Sequence, residues 1–160
     1  MAAQFDFLSE DTRPDFEELL RVEIAVAARF LSPPMGSATD PADANFLPFA
    51  AYIDPAGELT MLGTYAEAQH DITGAFVEQL VMGLRRLAGE GRVRSCCVCQ
   101  DVKLRPSPDT QKLDAIMVSL EHANGECVTL YATYTIQDGE CTFGQQFLAP
   151  GQYTVFESAP

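Results

Sequence analysis

Two turn signals in the C-terminal half of the chain constrain its fold more than any other feature. Asn124-Gly125 and Asp138-Gly139 each stand between runs rich in β-branched and aromatic residues. An Asn or Asp followed by Gly suits a type I′ turn, in which both central residues need a positive φ. The sequence therefore predicts two consecutive β-hairpins over residues 111–148.

Two-residue loops would set the pairing of the strands in both hairpins. The first loop places Ser119 opposite Leu130, and the second places Tyr134 opposite Phe143. Side chains alternate between the two faces of a strand, so this register also predicts which face is the core. The predicted core face holds Leu113, Ala115, Met117, Val128, Leu130, Ala132, Tyr134, Ile136, Cys141, Phe143 and Phe147.

On the opposite face this register leaves four large side chains among threonines. They are Ile116, Val118, Leu120 and Tyr131. Monomeric proteins rarely expose a contiguous apolar patch, so these residues are the candidate interface, and we expect a homodimer. A slip of one residue in either turn would exchange the two faces. The patch would also disappear if the two helices of the chain covered one face of the sheet each.

The first half of the chain predicts two helices around a shorter hairpin. A helix begins near Asp11 or Thr12 and is apolar on almost all sides from Val22 to Leu31, which predicts burial on more than one side. A hairpin over 46–62 follows a long loop, and Gly57 suits a bulged type I turn there. A second helix covers 73–88, with one apolar stripe. A strand at 92–104 then leads into the two hairpins.

The resulting order is α-β-β-α-β-β-β-β, a single α+β domain over residues 1–160. It comprises two helices and an antiparallel sheet made of a hairpin plus a four-stranded meander. Residues 1–10 form an N-terminal arm and residues 149–160 a C-terminal tail. The element order is similar to that of profilin-like and roadblock-type modules. The similarity includes no shared motif and transfers no functional residues.

The charge of the chain bears on its partners. It carries 10 Lys and Arg against 23 Asp and Glu, a formal net charge of −13. Nucleic acids and anionic membranes are bound largely by basic residues, so we expect neither as a partner. A basic protein is a better match. The N-terminal segment lacks the basic start and apolar run of a signal peptide, which predicts a cytoplasmic protein.

The basic residues are concentrated in one region. Seven of the ten lie between Arg85 and Lys112. The candidate anion site consists of Arg85, Arg86, Arg92 and Arg94. It supports an alternative function, the binding of a small anionic ligand or a modest enzymatic activity on one. An ordinary solvated helix end is the simpler interpretation of the same residues.

Residues suited to catalysis or metal binding are few. The five cysteines, Cys96, Cys97, Cys99, Cys127 and Cys141, are odd in number, which predicts free thiols. The predicted register places His122 opposite Cys127 but supplies no third group. Asp101 and Asp114 lie near Lys103, and we expect a cross-strand salt bridge there. No catalytic residue, metal or cofactor is therefore expected, and the sequence favours a non-enzymatic interaction module that self-associates.

Overall fold

The computed structural model describes residues 5–32, 48–63, 73–105 and 107–156. It contains α1 (Arg13–Leu31), β1 (Phe49–Ile53), β2 (Leu59–Gly63), α2 (Thr73–Gly89), β3 (Ser95–Leu104), β4 (Leu113–His122), β5 (Cys127–Gln137) and β6 (Glu140–Pro150). This order confirms the predicted α+β class. The long loop predicted at 32–45 lies outside the described residues, apart from Ser32.

The six strands form one antiparallel sheet in the order β2-β1-β3-β4-β5-β6. The first hairpin joins the meander through β1, which pairs with β3. Among the described strands, β2 and β6 therefore lie at the two edges. The predicted salt bridge between β3 and β4 is present, since Lys103 and Asp114 are paired.

Helix α1 packs on one face of the sheet, which we call the first face. Pro14 lies in its first turn, where the missing N–H breaks no helical hydrogen bond. The buried side chains of α1 lie along one side: Asp15, Phe16, Leu19, Leu20, Glu23, Ala27 and Leu31. Phe30 is 53% exposed, so the prediction that the end of this helix is buried on more than one side is wrong.

Helix α2 packs on the second face, over β1 and β3. Its Leu80 and Leu84 contact a smaller core that includes Ala50 and Val98. Val155 from the C-terminal tail joins the same core and is 5% exposed. Each helix thus covers one face of the sheet. Within the described ranges, neither helix combines the length and apolar content needed to cross a membrane.

The loop between β4 and β5 contains three residues instead of the predicted two. The N–H of His122 donates to the carbonyl of Glu126 at 2.8 Å, and Gly125 has a φ of 101°. Asn124 keeps a negative φ, so the turn is not type I′. A type I turn followed by a left-handed glycine gives this bulged loop. The observed register places Val118 opposite Leu130.

This one-residue difference exchanges the two faces of β4. Ile116, Val118 and Leu120 are 0%, 0% and 1% exposed and pack in the core on the first face. The prediction that they form an exposed interface is therefore wrong. Tyr131 does lie on the second face, opposite Met117. Met117 itself, predicted to be core, is only partly buried.

The second turn matches its prediction more closely. Asp138 and Gly139 have φ values of 54° and 77°, as a type I′ turn requires, and Tyr134 pairs with Phe143. A bulge then follows in β6, opposite the stretch between Ala132 and Tyr134. After it Leu130 pairs with Leu148 instead of the predicted Phe147, and Ala132 pairs with Gln146 instead of Gln145.

The observed register can be tested by comparing neighbouring truncations. We expect Ile116→Ala to lower the free energy of unfolding by about 2–4 kcal/mol, because it leaves a cavity beneath α1. Met117→Ala, on the partly open face, should cost less than about 1.5 kcal/mol. Urea denaturation of both variants measures the difference. A larger loss of stability for Met117→Ala than for Ile116→Ala would contradict the observed register and support the two-residue loop.

Candidate functional site

The four arginines of the candidate anion site do not converge. Arg94 donates from Nε and Nη2 to the carboxylate of Asp15 on α1, at 2.9 and 2.8 Å. Arg86 and Arg92 lie 3.9 and 3.5 Å from the carboxylate of Glu90. The charges of these three arginines are thus opposed by Asp15 and Glu90, two different acidic neighbours. This arrangement gives the anion hypothesis no shared pocket.

Arg85 contacts the C-terminal tail. Its Nε donates to the carbonyl of Thr154 at 2.7 Å. The backbone N–H groups of Thr154 and Val155 donate in turn to the buried carboxylate of Glu121, at 2.6 and 3.0 Å. The Tyr153 hydroxyl donates to the carbonyl of His122 at 3.1 Å. These bonds hold the tail across the ends of β4 and β5.

Asp15, Ser95 and His122 form a buried polar cluster that resembles a catalytic triad in composition only. The Ser95 hydroxyl donates to Asp15 at 2.8 Å, whereas a triad requires it to donate to the histidine. Nε2 of His122 lies 3.6 Å from Asp15, and its Nδ1 accepts from the N–H of Asn124 at 3.1 Å. Ser95 is 0% exposed, so no substrate reaches it. The contacts of Asp15 with Ser95 and His122 link α1 to β3 and β4 of the sheet.

The predicted pairing of His122 with Cys127 is wrong. Cys127 lies opposite Glu121 and faces the second side of the sheet, whereas His122 faces the first. The three-residue loop shifts Cys127 by one position relative to His122, and the same loop exchanges the two faces of β4. The structure therefore does not bring the thiol of Cys127 and the imidazole of His122 together.

The N-terminal arm is fixed to the β4–β5 loop through Glu126. Its carboxylate accepts from the N–H of Ser9 at 3.1 Å, from the hydroxyls of Ser9 and Thr12, and from the amide of Asn124. Burial alone would raise the pKa of this carboxyl, but these four bonds lower it to about 2. Phe5, in the same arm, is 1% exposed.

The cysteines are free thiols in the structure, as predicted. Cys97 and Cys99 point into the core on the first face and Cys96 into the core on the second. Burial raises the pKa of all three well above the ordinary value. Thiols in this environment are poor nucleophiles. Within the described ranges, no group of three or more His, Cys, Asp or Glu side chains has a metal-binding arrangement.

Glu23 is the one buried acid on α1 without a cation. It is 0% exposed, and neither carboxyl oxygen meets hydrogen-bond geometry with another described residue. Burial raises the pKa of Glu23 to about 8, and only the neighbouring Cys97 thiol acts in the opposite direction. The group is therefore neutral at pH 7. Local sequence pattern does not predict this burial, because an acid in an apolar helix usually faces solvent.

Two surfaces formed by the described residues are candidates for binding. The first is the edge strand β6. Phe147 and Leu148 on it are 38% and 39% exposed, one on each face of the sheet. No charged residue occurs from 141 to 156. The N–H of Cys141 donates to the hydroxyl of Ser32, the residue after α1, at 2.9 Å, so the start of the strand contacts the end of this helix.

The second open surface is a groove on the second face, between α2 and β3–β5. Its volume is about 270 Å³. It is lined by Val77, Val81, Val98, Gln100, Met117, Ser119, Glu121, Thr129, Tyr131, Pro150, Gln152 and Thr154. Of the candidate interface, only Tyr131 belongs to it. The sequence could not reveal this groove, because its walls come from elements far apart in the chain.

Comparison with known proteins adds nothing to these observations. No protein-family model, curated protein or solved structure matches the chain.

The buried carboxyl of Glu23 predicts a characteristic pH dependence of stability. Its pKa is higher in the folded state than in the unfolded state, so the folded protein binds the extra proton between about pH 4.5 and 8. Stability should fall as pH rises through this range, by up to about 1.4 kcal/mol per pH unit from this group.

Glu23→Gln should remove this slope, so that its stability relative to the natural protein improves steadily from pH 5 to pH 8. Urea denaturation at several pH values measures the change. The matched control is Glu18→Gln on the same helix, where the carboxylate is exposed and its hydrogen bond with Arg21 lowers the pKa. A constant offset between Glu23→Gln and the natural protein at all pH values would contradict the prediction.

Proposed function

We propose that the protein is a non-enzymatic interaction module that self-associates through strand β6. The observation that carries this proposal is the outer side of β6, which pairs with no described strand and carries no charged side chain from Cys141 to Pro150. The strand is 11 residues long. The β6 strand of a second copy would pair with this side, and the sheet would then continue across the two molecules.

Edge strands present unpaired N–H and C=O groups and invite pairing with another chain. Monomeric proteins protect such edges with lysines, inward charges, prolines or bulges. β6 has a bulge near Gly144 and ends in Pro150. The stretch between them, Gln145 to Ala149, has none of these protections. Phe147 and Leu148 add apolar area on both sides of the sheet, which backbone pairing alone would not supply.

Charge distribution supports a second copy at this edge. Each molecule carries a formal charge of −13, so two copies repel each other over most of their surfaces. An antiparallel pairing centred on Phe147 places Gln145 opposite the partner's Ala149. The acidic turn at Asp138 then lies beyond the end of the paired segment, and no acid meets an acid within it.

The basic region gives less support to the alternative function. A small anion would have to compete with Asp15 for Arg94 and with Glu90 for Arg86 and Arg92. These carboxylates belong to the protein and are present at high effective concentration.

Sedimentation velocity on edge variants tests the proposal. The natural protein should sediment as a dimer at micromolar concentrations. Leu148→Lys should weaken the dimer at least about tenfold, because a lysine on the edge opposes strand pairing. The matched control is Met61→Lys on the other edge strand, β2, where the side chain is equally exposed at 39% and faces the same side of the sheet. A monomeric natural protein, or dissociation by Met61→Lys alone, would overturn the proposal.

Salt should strengthen this association. Two like-charged copies repel, and salt screens that repulsion over a Debye length of about 10 Å at 0.1 M. We therefore expect the dissociation constant of the dimer to fall several-fold as NaCl is raised from about 0.02 to 0.3 M. A complex with a basic protein would respond in the opposite way, so the sign of the salt effect separates the two kinds of partner.

A further inference from the structure

The groove on the second face is lined by several polar side chains that have no partner among the described residues. Gln100, Ser119, Tyr131 and Gln152 line it, and none of their side chains hydrogen-bonds to another group in the described part of the chain. A solvated surface explains such groups when they are exposed. Here they converge from three strands and the tail on one concave site.

Thr129 lines the same groove. The residue is only 5% exposed, and its hydroxyl makes no hydrogen bond to another described residue. The hydroxyl oxygen is not among the fully buried polar atoms without a partner, so it is open to the groove. The Thr129 hydroxyl is therefore available to a ligand that enters the groove.

The remaining lining limits what that partner can be. Val77 and Val81 of α2, with Val98 and Met117 of the sheet, form an apolar wall. Among the described residues that line the groove there is no lysine or arginine, and the one carboxylate, Glu121, already accepts hydrogen bonds from the tail. A phosphate or carboxylate ligand would meet no cation there and would be repelled by the net charge of the molecule.

We propose that the groove is a binding site for a small uncharged ring compound that both donates and accepts hydrogen bonds. The primary amides of Gln100 and Gln152 each offer a paired donor and acceptor, and the hydroxyls of Ser119 and Thr129 serve as either. A volume of about 270 Å³ is near the lower limit of ligand pockets and accommodates a single ring. Neutral monosaccharides and nucleobases share this chemistry.

Ligand-observed NMR with four probes tests the proposal and separates the two sources. Glucose and galactose form one arm, and adenine and uracil the other, each measured by saturation transfer and titrated against the full-length protein. At least one neutral compound should bind with a dissociation constant below about 10 mM, a free energy of only about 3 kcal/mol. Glucose 6-phosphate and AMP should bind at least about tenfold more weakly than their uncharged counterparts.

Removing one groove hydroxyl provides the second test. Thr129→Val keeps the shape of the side chain and should weaken binding of the responding compound about tenfold. Thr135→Val is the matched control, since it lies on the same strand and the same face but outside the groove, and should leave binding unchanged. Ser119→Ala serves in place of Thr129→Val if that variant fails to fold by circular dichroism.

Three results would overturn the proposal: no binding by any of the four neutral compounds, equal or tighter binding of the phosphates, or unchanged binding by the groove variants. The proposal is independent of self-association, because the groove lies beside α2 and the proposed dimer contact is at β6. Sedimentation of Thr129→Val should match that of the natural protein.

Discussion

The three-residue loop from Ala123 to Gly125 determines which residues of β4 face the core under α1. Because side chains alternate along a strand, its length decides whether Val118 lies under α1 or on the opposite face. The loop is stabilised by contacts from elsewhere in the chain. The N–H of Ala123 donates to the carbonyl of Arg94 at 2.9 Å, and the amide of Asn124 donates to Thr12 at 2.7 Å. The start of α1, the start of β3 and the register of the meander are thus set at one place.

Acidic side chains connect the ends of the chain to this sheet, and two of them, Asp15 and Glu121, are buried. Asp15 accepts from Arg94 and Ser95, Glu121 accepts from the tail, and Glu126 accepts from the N-terminal arm. A buried carboxylate is stable only when such donors replace its water. Glu23 has no such donors, and its raised pKa is the expected consequence. The acids with hydrogen-bond partners stabilise the fold, whereas Glu23 lowers the stability of the folded protein at pH values where its carboxyl would be ionised.

The sequence predicted the features that depend on local pattern and missed those that depend on distant contacts. Helical spacing gave both helices, and the Asp138-Gly139 turn gave the start of the last hairpin. The pair Asn124-Gly125 also fits two kinds of loop, because Asn tolerates both signs of φ while Gly takes the left-handed position in either. Contacts with Arg94 and Thr12, far away in sequence, accompany the longer form, and no local pattern contains them.

The candidate sites also depend partly on local sequence and partly on contacts between distant residues. Arg94 looked available in the sequence because its partner, Asp15, is 79 residues away. The uncharged stretch from 141 to 156 is present in the sequence, but the sequence does not show that it forms an edge strand. The strand order in the structure places β6 at an edge. The groove could be predicted only from the packing of α2 over β1 and β3, which leaves the neighbouring strands open.

The geometry of a two-helix, six-stranded fold explains why open surfaces exist here at all. Strands lie about 4.8 Å apart and a helix with its side chains is about 10 Å wide, so one helix covers two to three strands. On the first face the N-terminal arm supplements α1, and Phe5 and Leu8 are buried there. On the second face, α2 and the short tail are the only described covers. Part of β4 and β5 and all of β6 therefore remain open on that face, and most side chains there are Thr, Ser, Gln and Tyr. The one acid that lines the described groove, Glu121, accepts hydrogen bonds from the tail. A surface needed only for solubility would carry solvated acidic residues, which are abundant elsewhere in this chain, so their scarcity here is the physical basis for proposing a binding role for this side of the molecule.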